Sequence, residues 1–218
     1  MRSVVGIFAH PDDEAFGPSG TLAILAKERD VYLVCVTNGD AGENKSSKGG
    51  SLAQIRREEM GESAKVLGVK EVFFLDYKDG ELSNNLYHEI ADKIKNILDK
   101  IEPEILLTFE PRGLSGHIDH IAISMITSFV FEKSPHISEL WQFCLSVEGR
   151  KMFGDYFIYC PPGYTKEEIS KEVDVSGVWD IKVASMHEHQ SQKKDMERAL
   201  EESKTLPKVE SFIIKKRE

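Results

Sequence analysis

The order in which two hydrophobic periodicities alternate along the chain constrains its fold most strongly. Short apolar runs rich in β-branched residues, typical of buried strands, alternate with stretches in which apolar residues recur every three or four positions, typical of amphipathic helices. The clearest helical pattern covers residues 86–101. The predicted strands are 4–8, 31–36, 71–75, 105–109, 153–159 and 209–214, and the other predicted helices are 21–28, 51–67, 118–131 and 181–202.

This β-α-β-α order predicts an α/β protein, a Rossmann-like three-layer sandwich built on a mostly parallel sheet. The near-continuous apolar strands fit such a sheet, because parallel strands are buried on both faces. No linker divides the 218 residues, so one domain over 1–218 is expected. The most flexible composition, at 44–50, falls between the second strand and its helix, on the sheet edge where open α/β sheets bind ligands.

Composition excludes several classes of partner. A formal net charge of −9 provides no excess of Lys and Arg for nucleic-acid binding. No apolar run reaches the roughly 20 residues that span a bilayer, and the first residues lack the pattern of a signal peptide. The three cysteines, Cys35, Cys144 and Cys160, form no C-x-x-C pair and fit a reducing compartment. We therefore expect a cytoplasmic protein that binds neither nucleic acid nor membrane.

The first polar cluster, A-H-P-D-D-E at residues 9–14, follows directly after the first predicted strand. Pro11 cannot donate a hydrogen bond to a neighbouring strand, so the chain is expected to turn there. One imidazole and three carboxylates are then crowded at the end of a buried strand, where like-charge repulsion and desolvation are costly. A bound cation is the simplest group that offsets this cost.

The second cluster, G-H-I-D-H at residues 116–120, follows the fourth predicted strand. His117 and His120 are three positions apart at the start of a predicted helix, so their side chains share one face. Asp119 can accept a proton from a ring nitrogen and thereby fix a histidine tautomer. If the fourth strand lies beside the first, the two clusters meet. They then offer His, His and carboxylate, the ligand set of a catalytic zinc site with an open position for water.

Each cluster also has a simpler structural explanation. A single histidine at a strand end is usually a surface residue. A D-D-E run is often a helix N-terminus, at which Asp13 or Glu14 would cap free amides and complement the helix dipole. Taken separately, each cluster favours that explanation. At adjacent strand ends on the ligand-binding edge of one sheet, the two together favour a metal centre.

The two motifs as a pair resemble the N-acetylglucosaminyl deacetylase family that is called PIG-L or LmbE-like. The resemblance extends from Val4 to Gln192, although Ile118 stands where the family usually has proline. The segment 133–177 matches no family feature, and we expect it to influence the choice of substrate. The supporting matches are Thr37-Asn38-Gly39, Arg56-x-x-Glu59, Leu67-Gly68-Val69, Asp79-Gly80 and a C-terminal pattern of Lys182, His189, Ser191 and Gln192.

The resemblance implies a hydrolase that removes an acetyl group from an N-acetylglucosamine-type substrate through a zinc-activated water. Family substrates include thiol-precursor glycosides, chitin-derived sugars and lipid-linked glucosamine. The resemblance implies zinc ligands at His10, Asp13 and His120, a general base at Asp12, a residue facing the reacting carbonyl at His117, and sugar-hydroxyl contacts at Arg56 and Asp79.

The chemistry of amide hydrolysis fits these roles. Asp12 would take a proton from the attacking water while its neighbour Asp13 binds the metal. Zinc and a protonated His117 would stabilise the oxyanion, and Asp119 would act in catalysis by keeping His117 charged and oriented. The leaving amine needs a proton from Asp12 or from His117, and both sources remain open. Fe²⁺ in place of Zn²⁺ also remains open, because His/carboxylate sites discriminate weakly.

Several site residues have alternative interpretations. Arg56 is equally well explained as a surface helix residue paired with Glu59 or Glu62, and Asp79-Gly80 as a turn. His189 and Gln192 either support the site from behind or lie on a helix surface.

Two other functions compete with the hydrolase. A non-catalytic Rossmann-like module that binds a sugar or nucleotide would not need a base such as Asp12, and the first strand lacks a G-x-G-x-x-G turn. A phosphoester hydrolase would usually need a second set of metal ligands, which the sequence does not offer. The expected partner is a small amino sugar. Homo-oligomerisation stays open, because 133–177 could cover a neighbouring subunit's site.

Overall fold

The computed structural model of the protein describes residues 3–42, 49–151 and 159–217. Its strands are β1 (Ser3–Phe8), β2 (Asp30–Thr37), β3 (Glu71–Tyr77), β4 (Ile105–Phe109), β5 (Glu139–Cys144), β6 (Lys171–Asp174) and β7 (Val209–Lys216). They form one sheet in the order β3-β2-β1-β4-β5-β7-β6. The strands from β3 to β5 in this order are parallel, whereas β7 runs antiparallel to both β5 and β6. The predicted α/β class with a mostly parallel sheet is confirmed.

Helices cover both faces of this sheet, as the alternation predicted. They are α1 (Asp13–Phe16), α2 (Ser19–Leu25), α3 (Leu52–Leu67), α4 (Tyr87–Ile101), α5 (Ile118–Lys133), α6 (Val147–Arg150), α7 (Trp179–Glu188) and α8 (Lys193–Ser203), with 3-10 turns at Ser176–Val178 and Gln190–Gln192. Within the described residues, no helix combines the length and the apolarity needed to cross a membrane.

Side chains that alternate along each strand bury one face under α4 and α5 and the other under α2 and α3. The first layer packs Val5 and Ile7 of β1 with residues of α4 and α5 that include Ile90, Ile94 and Ile123. The second packs Val4 and Phe8 of β1 with residues that include Leu22, Met60 and Leu67. The central strands are therefore buried on both faces, so functional side chains are expected at the ends of these strands.

The strand β5 was not predicted, and its polar residues explain why. Gln142 is buried in the middle of this strand, where its side-chain amide donates to Ser128 Oγ at 3.3 Å and to Ser124 Oγ at 3.5 Å on α5. Such a buried polar residue with specific partners interrupts the apolar pattern by which a parallel strand is recognised. The short strand β6 was also missed, because Lys171–Asp174 is mostly charged and lies at the sheet edge.

The predicted helix over 181–202 is wrong as a single element. The helix α7 ends at Glu188, His189 adopts φ −84° and ψ 60°, a 3-10 turn follows, and α8 begins at Lys193. The predicted strand 153–159 falls outside the described residues except for Tyr159, which belongs to no strand. The remaining predicted elements occur in the structure with shifts of a few residues at their ends.

The arrangement of β1 and β4 positions the polar clusters. The two strands are parallel neighbours in the centre of the sheet, with Val4 opposite Ile105 and Gly6 opposite Leu107. Their carboxyl ends therefore meet at one edge, as predicted for the fourth strand beside the first. The loop after β1 carries His10, and the loop after β4 leads to His117 at the start of α5.

Candidate active site

Two histidines and an aspartate converge at the carboxyl ends of β1 and β4. His10 Nδ1 lies 3.1 Å from His120 Nε2, which in turn lies 3.1 Å from Asp13 Oδ1. The third pair, His10 Nδ1 and Asp13 Oδ2, is 3.7 Å apart. Asp13 stands in the first turn of α1, and its Oδ2 accepts hydrogen bonds from the backbone N–H groups of Ala9 at 3.0 Å and His10 at 2.8 Å. The predicted ligand set is thus brought together by the loop after β1 and the first turns of α1 and α5.

The outward-facing nitrogen of each histidine ring meets an acceptor. His10 Nε2 lies 2.9 Å from Asp79 Oδ1 and 3.3 Å from Asp119 Oδ2, and His120 Nδ1 lies 3.3 Å from the carbonyl oxygen of Gly113. These partners favour N–H on the outward nitrogens, so that the nitrogens facing each other present lone pairs. Lone pairs and a carboxylate at such short separations repel one another unless a cation lies among them. The donor set and its supporting acceptors therefore fit a catalytic zinc site.

The surroundings of His10 also favour positive charge at this cluster. Burial lowers the pKa of the His10 ring, but hydrogen bonds with Asp119 and Asp79 and the charge of Asp13 outweigh burial and raise the pKa to about 10. Burial raises the pKa of Asp79, but its hydrogen bond with His10 and the charges of His10 and Arg56 outweigh burial and lower that pKa. The carboxylates around His10 thus stabilise a cation, whether a proton or a metal ion.

Asp12, the expected base, is held by Arg56. Arg56 Nη2 donates to Asp12 Oδ2 at 2.8 Å and to the Pro11 carbonyl at 2.5 Å, while Nη1 donates to the Gly39 carbonyl at 2.8 Å. Arg56 is 4% exposed, so its interpretation as a surface residue paired with a helix glutamate is wrong. Burial raises the pKa of Asp12 to about 6, although the Arg56 charge acts in the opposite direction.

His117 caps the N-terminus of α5 and faces the two ligand histidines. Its Nδ1 accepts the Asp119 backbone N–H at 3.1 Å, and its ring centroid lies 4.6 Å from that of His10 and 5.0 Å from that of His120. Possible ligand atoms of His10, His117 and His120 lie within 4.8 Å of one another, and so do those of His10, Asp79 and Asp119. His117 is therefore placed at the site, next to the cluster formed with Asp13.

The electrostatics of His117 differ from the expectation. Burial and the charges of His10 and His120 together lower the pKa of His117 to about 4, and the charges of Asp119 and Asp13 oppose them less strongly. The Asp119 carboxylate instead accepts the backbone N–H groups of Gly80 at 2.8 Å and Leu82 at 3.3 Å, and lies next to His10 Nε2. The role of Asp119 in catalysis through His117 stays a prediction, and in the structure its carboxylate lies against the His10 ring.

Asp79 forms the predicted turn and also lies at the site, while its contact with a sugar stays a prediction. Asp79 and Gly80 form a turn, with Gly80 at φ 79°, a conformation that glycine adopts without strain. The turn after β3 also brings the Asp79 carboxylate against His10 and into the wall of the site cavity.

A cavity of about 410 Å³ opens over the cluster. Its inner wall contains the three expected ligands together with Asp12, Arg56, Asp79 and His117. The lining also includes Phe143 of β5, Leu145 directly after this strand, and charged residues of α8, among them Asp195 and Arg198. This volume lies within the range of small-molecule sites and is large enough for a sugar ring.

The residue that the sequence did not single out is Glu14, which lies fully buried behind Asp12. Its Oε2 accepts the Asp12 backbone N–H at 3.1 Å, and its Oε1 accepts Ser63 Oγ at 2.7 Å and lies 2.7 Å from His189 Nε2. His189 is likewise 0% exposed, so its alternative as a helix-surface group is wrong. Gln192, also buried, lines the cavity. The signal for Glu14 was the third acid of A-H-P-D-D-E, interpreted above only as a possible cap.

The fold and the site together define an α/β protein with a candidate metal centre at the carboxyl edge of a parallel sheet. A family model described as GlcNAc-PI de-N-acetylase, PIG-L, matches residues 5–131. The match covers more than half of the chain, and the chain belongs to this family.

Similar proteins extend the match into the C-terminal part. The 1D-myo-inositol 2-acetamido-2-deoxy-alpha-D-glucopyranoside deacetylase of Mycobacteroides abscessus is 26% identical over 88% of this chain and 81% of its own. The diacetylchitobiose deacetylase of Thermococcus kodakarensis is 30% identical over 88% of this chain and 70% of its own. The solved structure of N,N'-diacetylchitobiose deacetylase from Pyrococcus horikoshii has a TM-score of 0.74 at 25% identity, covering 99% of this chain and 84% of that one. These relatives are named deacetylases, which supports an amide hydrolase.

Proposed function

We propose that this chain is a metal-dependent N-deacetylase that hydrolyses the acetamide of an N-acetylglucosamine-type substrate. The observation that carries the proposal is the cluster of His10, Asp13 and His120 with a second, separately held carboxylate, Asp12, on the same cavity wall. A module that only binds a sugar has no use for that second carboxylate. The named substrates of the two relatives above also share an acetylated amino sugar.

In this proposal His10, Asp13 and His120 hold zinc, and an iron(II) ion would fit the same donors. A bound zinc ion supplies Lewis acidity, which brings the pKa of a nearby water to about 7 and polarises an amide carbonyl. Asp79 and Asp119 orient the His10 ring from behind, and the Gly113 carbonyl orients His120. Such supporting acceptors usually determine which nitrogen of a histidine faces the metal.

Asp12 takes the proton from the attacking water, whose oxygen forms the new bond to the acetamide carbon. Arg56 prevents the Asp12 carboxylate from turning towards the metal ligands, because it binds Asp12 Oδ2 and two backbone carbonyls at once. When the carbon–nitrogen bond breaks, Asp12 returns that proton to the leaving amine. The products are acetate and the free amino sugar.

His117 stabilises the oxyanion as a neutral donor. Since its Nδ1 accepts the Asp119 backbone N–H, the neutral ring carries its proton on Nε2. A fixed donor in a buried site stabilises developing negative charge without reorganising during the reaction. His117 therefore does not need the positive charge expected from the sequence.

We propose that Arg56 and Asp79 also border the sugar, since both line the cavity. Their charged groups are already engaged, by Asp12 and by His10. Their contribution to sugar binding is therefore the shape and polarity of the wall.

One domain over 1–218 and a cytoplasmic location remain part of the proposal. One continuous sheet contains both β1 and β7, with β7 beside β5 and β5 beside β4, which supports a single domain. The three cysteines are buried and unpaired, as is usual in a reducing compartment.

The test is to purify the protein without chelators, measure bound metal by elemental analysis, and assay amine release from N-acetylglucosamine and its simple glycosides. About one zinc or iron ion per chain, with amine release that disappears on chelation and returns with metal, is the expected result. Bound metal without amine release would contradict the deacetylase. A protein that binds no metal, even after zinc is added, would contradict the metal centre and favour the binding module.

A further inference from the structure

The backbone of Asp12 is in an unusual conformation. Its φ is 113° and its ψ −22°, a left-handed region that residues with a Cβ atom rarely adopt. Such a conformation costs free energy and persists only where the surrounding structure holds it. The direction of the Asp12 side chain depends on this backbone conformation. Contacts that hold the backbone therefore also direct the carboxylate.

Glu14 is the side chain that bonds the N–H of this backbone, while the Asp12 carbonyl accepts backbone N–H groups of α1. Its Oε2 accepts the Asp12 N–H at 3.1 Å, and the whole residue is 0% exposed. Asp12 and Glu14 are two positions apart, so this hydrogen bond closes a tight loop around Asp13. A buried carboxylate needs partners of its own, and Ser63 Oγ provides one at 2.7 Å.

The other partner of Glu14 comes from the far end of the chain. His189 Nε2 lies 2.7 Å from Glu14 Oε1, and the ring packs edge-on against Phe16 with centroids 6.0 Å apart. His189 reaches this position because α7 ends at Glu188 and the chain turns before α8 begins. The break between α7 and α8 therefore places the His189 imidazole against α1.

We propose that Glu14 and His189 form a brace that holds Asp12 in its left-handed conformation and so directs its carboxylate away from the metal ligands. They are positioning residues, and the inference depends on the proposed role of Asp12 as base. Asp13 is held independently, by the backbone N–H groups of Ala9 and His10. Adjacent carboxylates can therefore have different roles, because each is fixed by different contacts.

The kinetic test uses Glu14→Ala, Glu14→Gln and His189→Ala, with metal content measured for each. Loss of the brace should lower kcat about a hundred-fold in Glu14→Ala, since small misplacements of a reacting group have effects of this size. KM and metal stoichiometry should remain near those of the unaltered protein. Glu14→Gln keeps an oxygen for the Asp12 N–H and should recover much of the lost kcat.

The matched control is Glu210→Ala. Glu210 is another buried carboxylate, 3% exposed, that pairs with Lys182 at 2.8 Å and accepts two backbone N–H groups, from Gly20 and Thr21. It does not contact Asp12, so its loss should leave kcat per folded molecule unchanged. An unchanged kcat in Glu14→Ala, or a loss of metal in proportion to the loss of kcat, overturns the brace.

A second test needs no turnover and therefore distinguishes failure of the brace from failure of the proposed function. Glycine adopts positive φ freely, so Asp12→Gly should melt several degrees above Asp12→Ala, a shift that a protein of this size shows for a modest backbone effect. In a Glu14→Ala background the backbone can relax and this difference should largely disappear. If the Gly–Ala difference is absent, or is the same in both backgrounds, Glu14 does not hold the conformation.

Discussion

Residues 3–133 and residues 134–217 contribute to the site in different ways. The first region contains the parallel strands β1 to β4 and every side chain of the proposed metal cluster, the proposed base and the proposed oxyanion donor. The second region adds β5 to β7 and the helices α7 and α8, and sends His189 and Ser191 behind the site to bind Glu14 and Glu59. The chemistry is therefore encoded in the first region, and much of its support in the second.

The two regions also differ in how their polar residues are used. In 3–133 the key polar residues follow strand ends and face a cavity. In 134–217 several are instead buried and paired across the molecule, as with Lys182 and Glu210, although residues of α8 also line the cavity. Substitutions in the first region should therefore change activity, and substitutions in the second region should mainly change stability. The predictions below test that separation, from the largest expected effect on activity to the smallest.

Asp13→Ala should abolish both metal binding and activity. The substitution removes one of three proposed ligands and leaves His10 and His120 facing each other at 3.1 Å without the carboxylate that lies 3.1 Å from His120 Nε2. Elemental analysis should show metal far below one ion per chain, and amine release should fall to background. Asp76→Ala removes an exposed carboxylate paired with Arg57 and should change neither measurement. Full metal occupancy in Asp13→Ala would show that Asp13 is not a ligand.

Asp12→Asn should lower kcat without lowering the metal content. The amide keeps the size of the side chain but cannot take a proton, and general base catalysis commonly contributes about 10²–10⁴-fold in rate. We expect kcat to fall about a thousand-fold with metal content unchanged. Turnover near that of the unaltered protein would assign the base to another residue.

His117→Ala should reduce kcat less, by about a hundred-fold, because removal of one oxyanion donor usually costs about 10²–10³-fold. Metal content should be retained, since Asp13 completes the cluster in this proposal. The informative alternative is a large loss of zinc. His117 would then be a ligand in the set formed with His10 and His120, whose ligand atoms are also close together.

The sequence predicted the first region well because its signals are local. The end of β1 and the start of α5 are marked by Pro11, His117 and periodic apolar residues, and parallel pairing of β1 with β4 then brings the two clusters together. The sequence could not reveal which carboxylate faces which histidine ring. Asp119 binds His10, a hydrogen bond across 109 residues, because the turn at Gly80 fixes its carboxylate.

The second region was predicted poorly because its structure depends on distant partners. The helical periodicity of 181–202 is genuine, but buried contacts of His189 with Glu14 and of Ser191 with Glu59 favour the break between α7 and α8. In β5, Gln142 is buried through its bonds to serines of α5. A polar residue in the sequence does not show whether a partner will meet it in the core.

Glu210→Ala should affect stability and leave the chemistry intact. The substitution removes the carboxylate that pairs with the buried Lys182 ammonium and accepts two backbone N–H groups of α2. Loss of one partner of a buried ion pair typically costs about 3–5 kcal/mol. Urea denaturation measures the loss, and kcat per folded molecule should not change. Glu62→Ala, which breaks an exposed pair with Lys65, should lower the free energy of unfolding far less. If Glu210→Ala instead reduced kcat at full folding, the second region would take part in catalysis, and the division between chemistry and support would not hold.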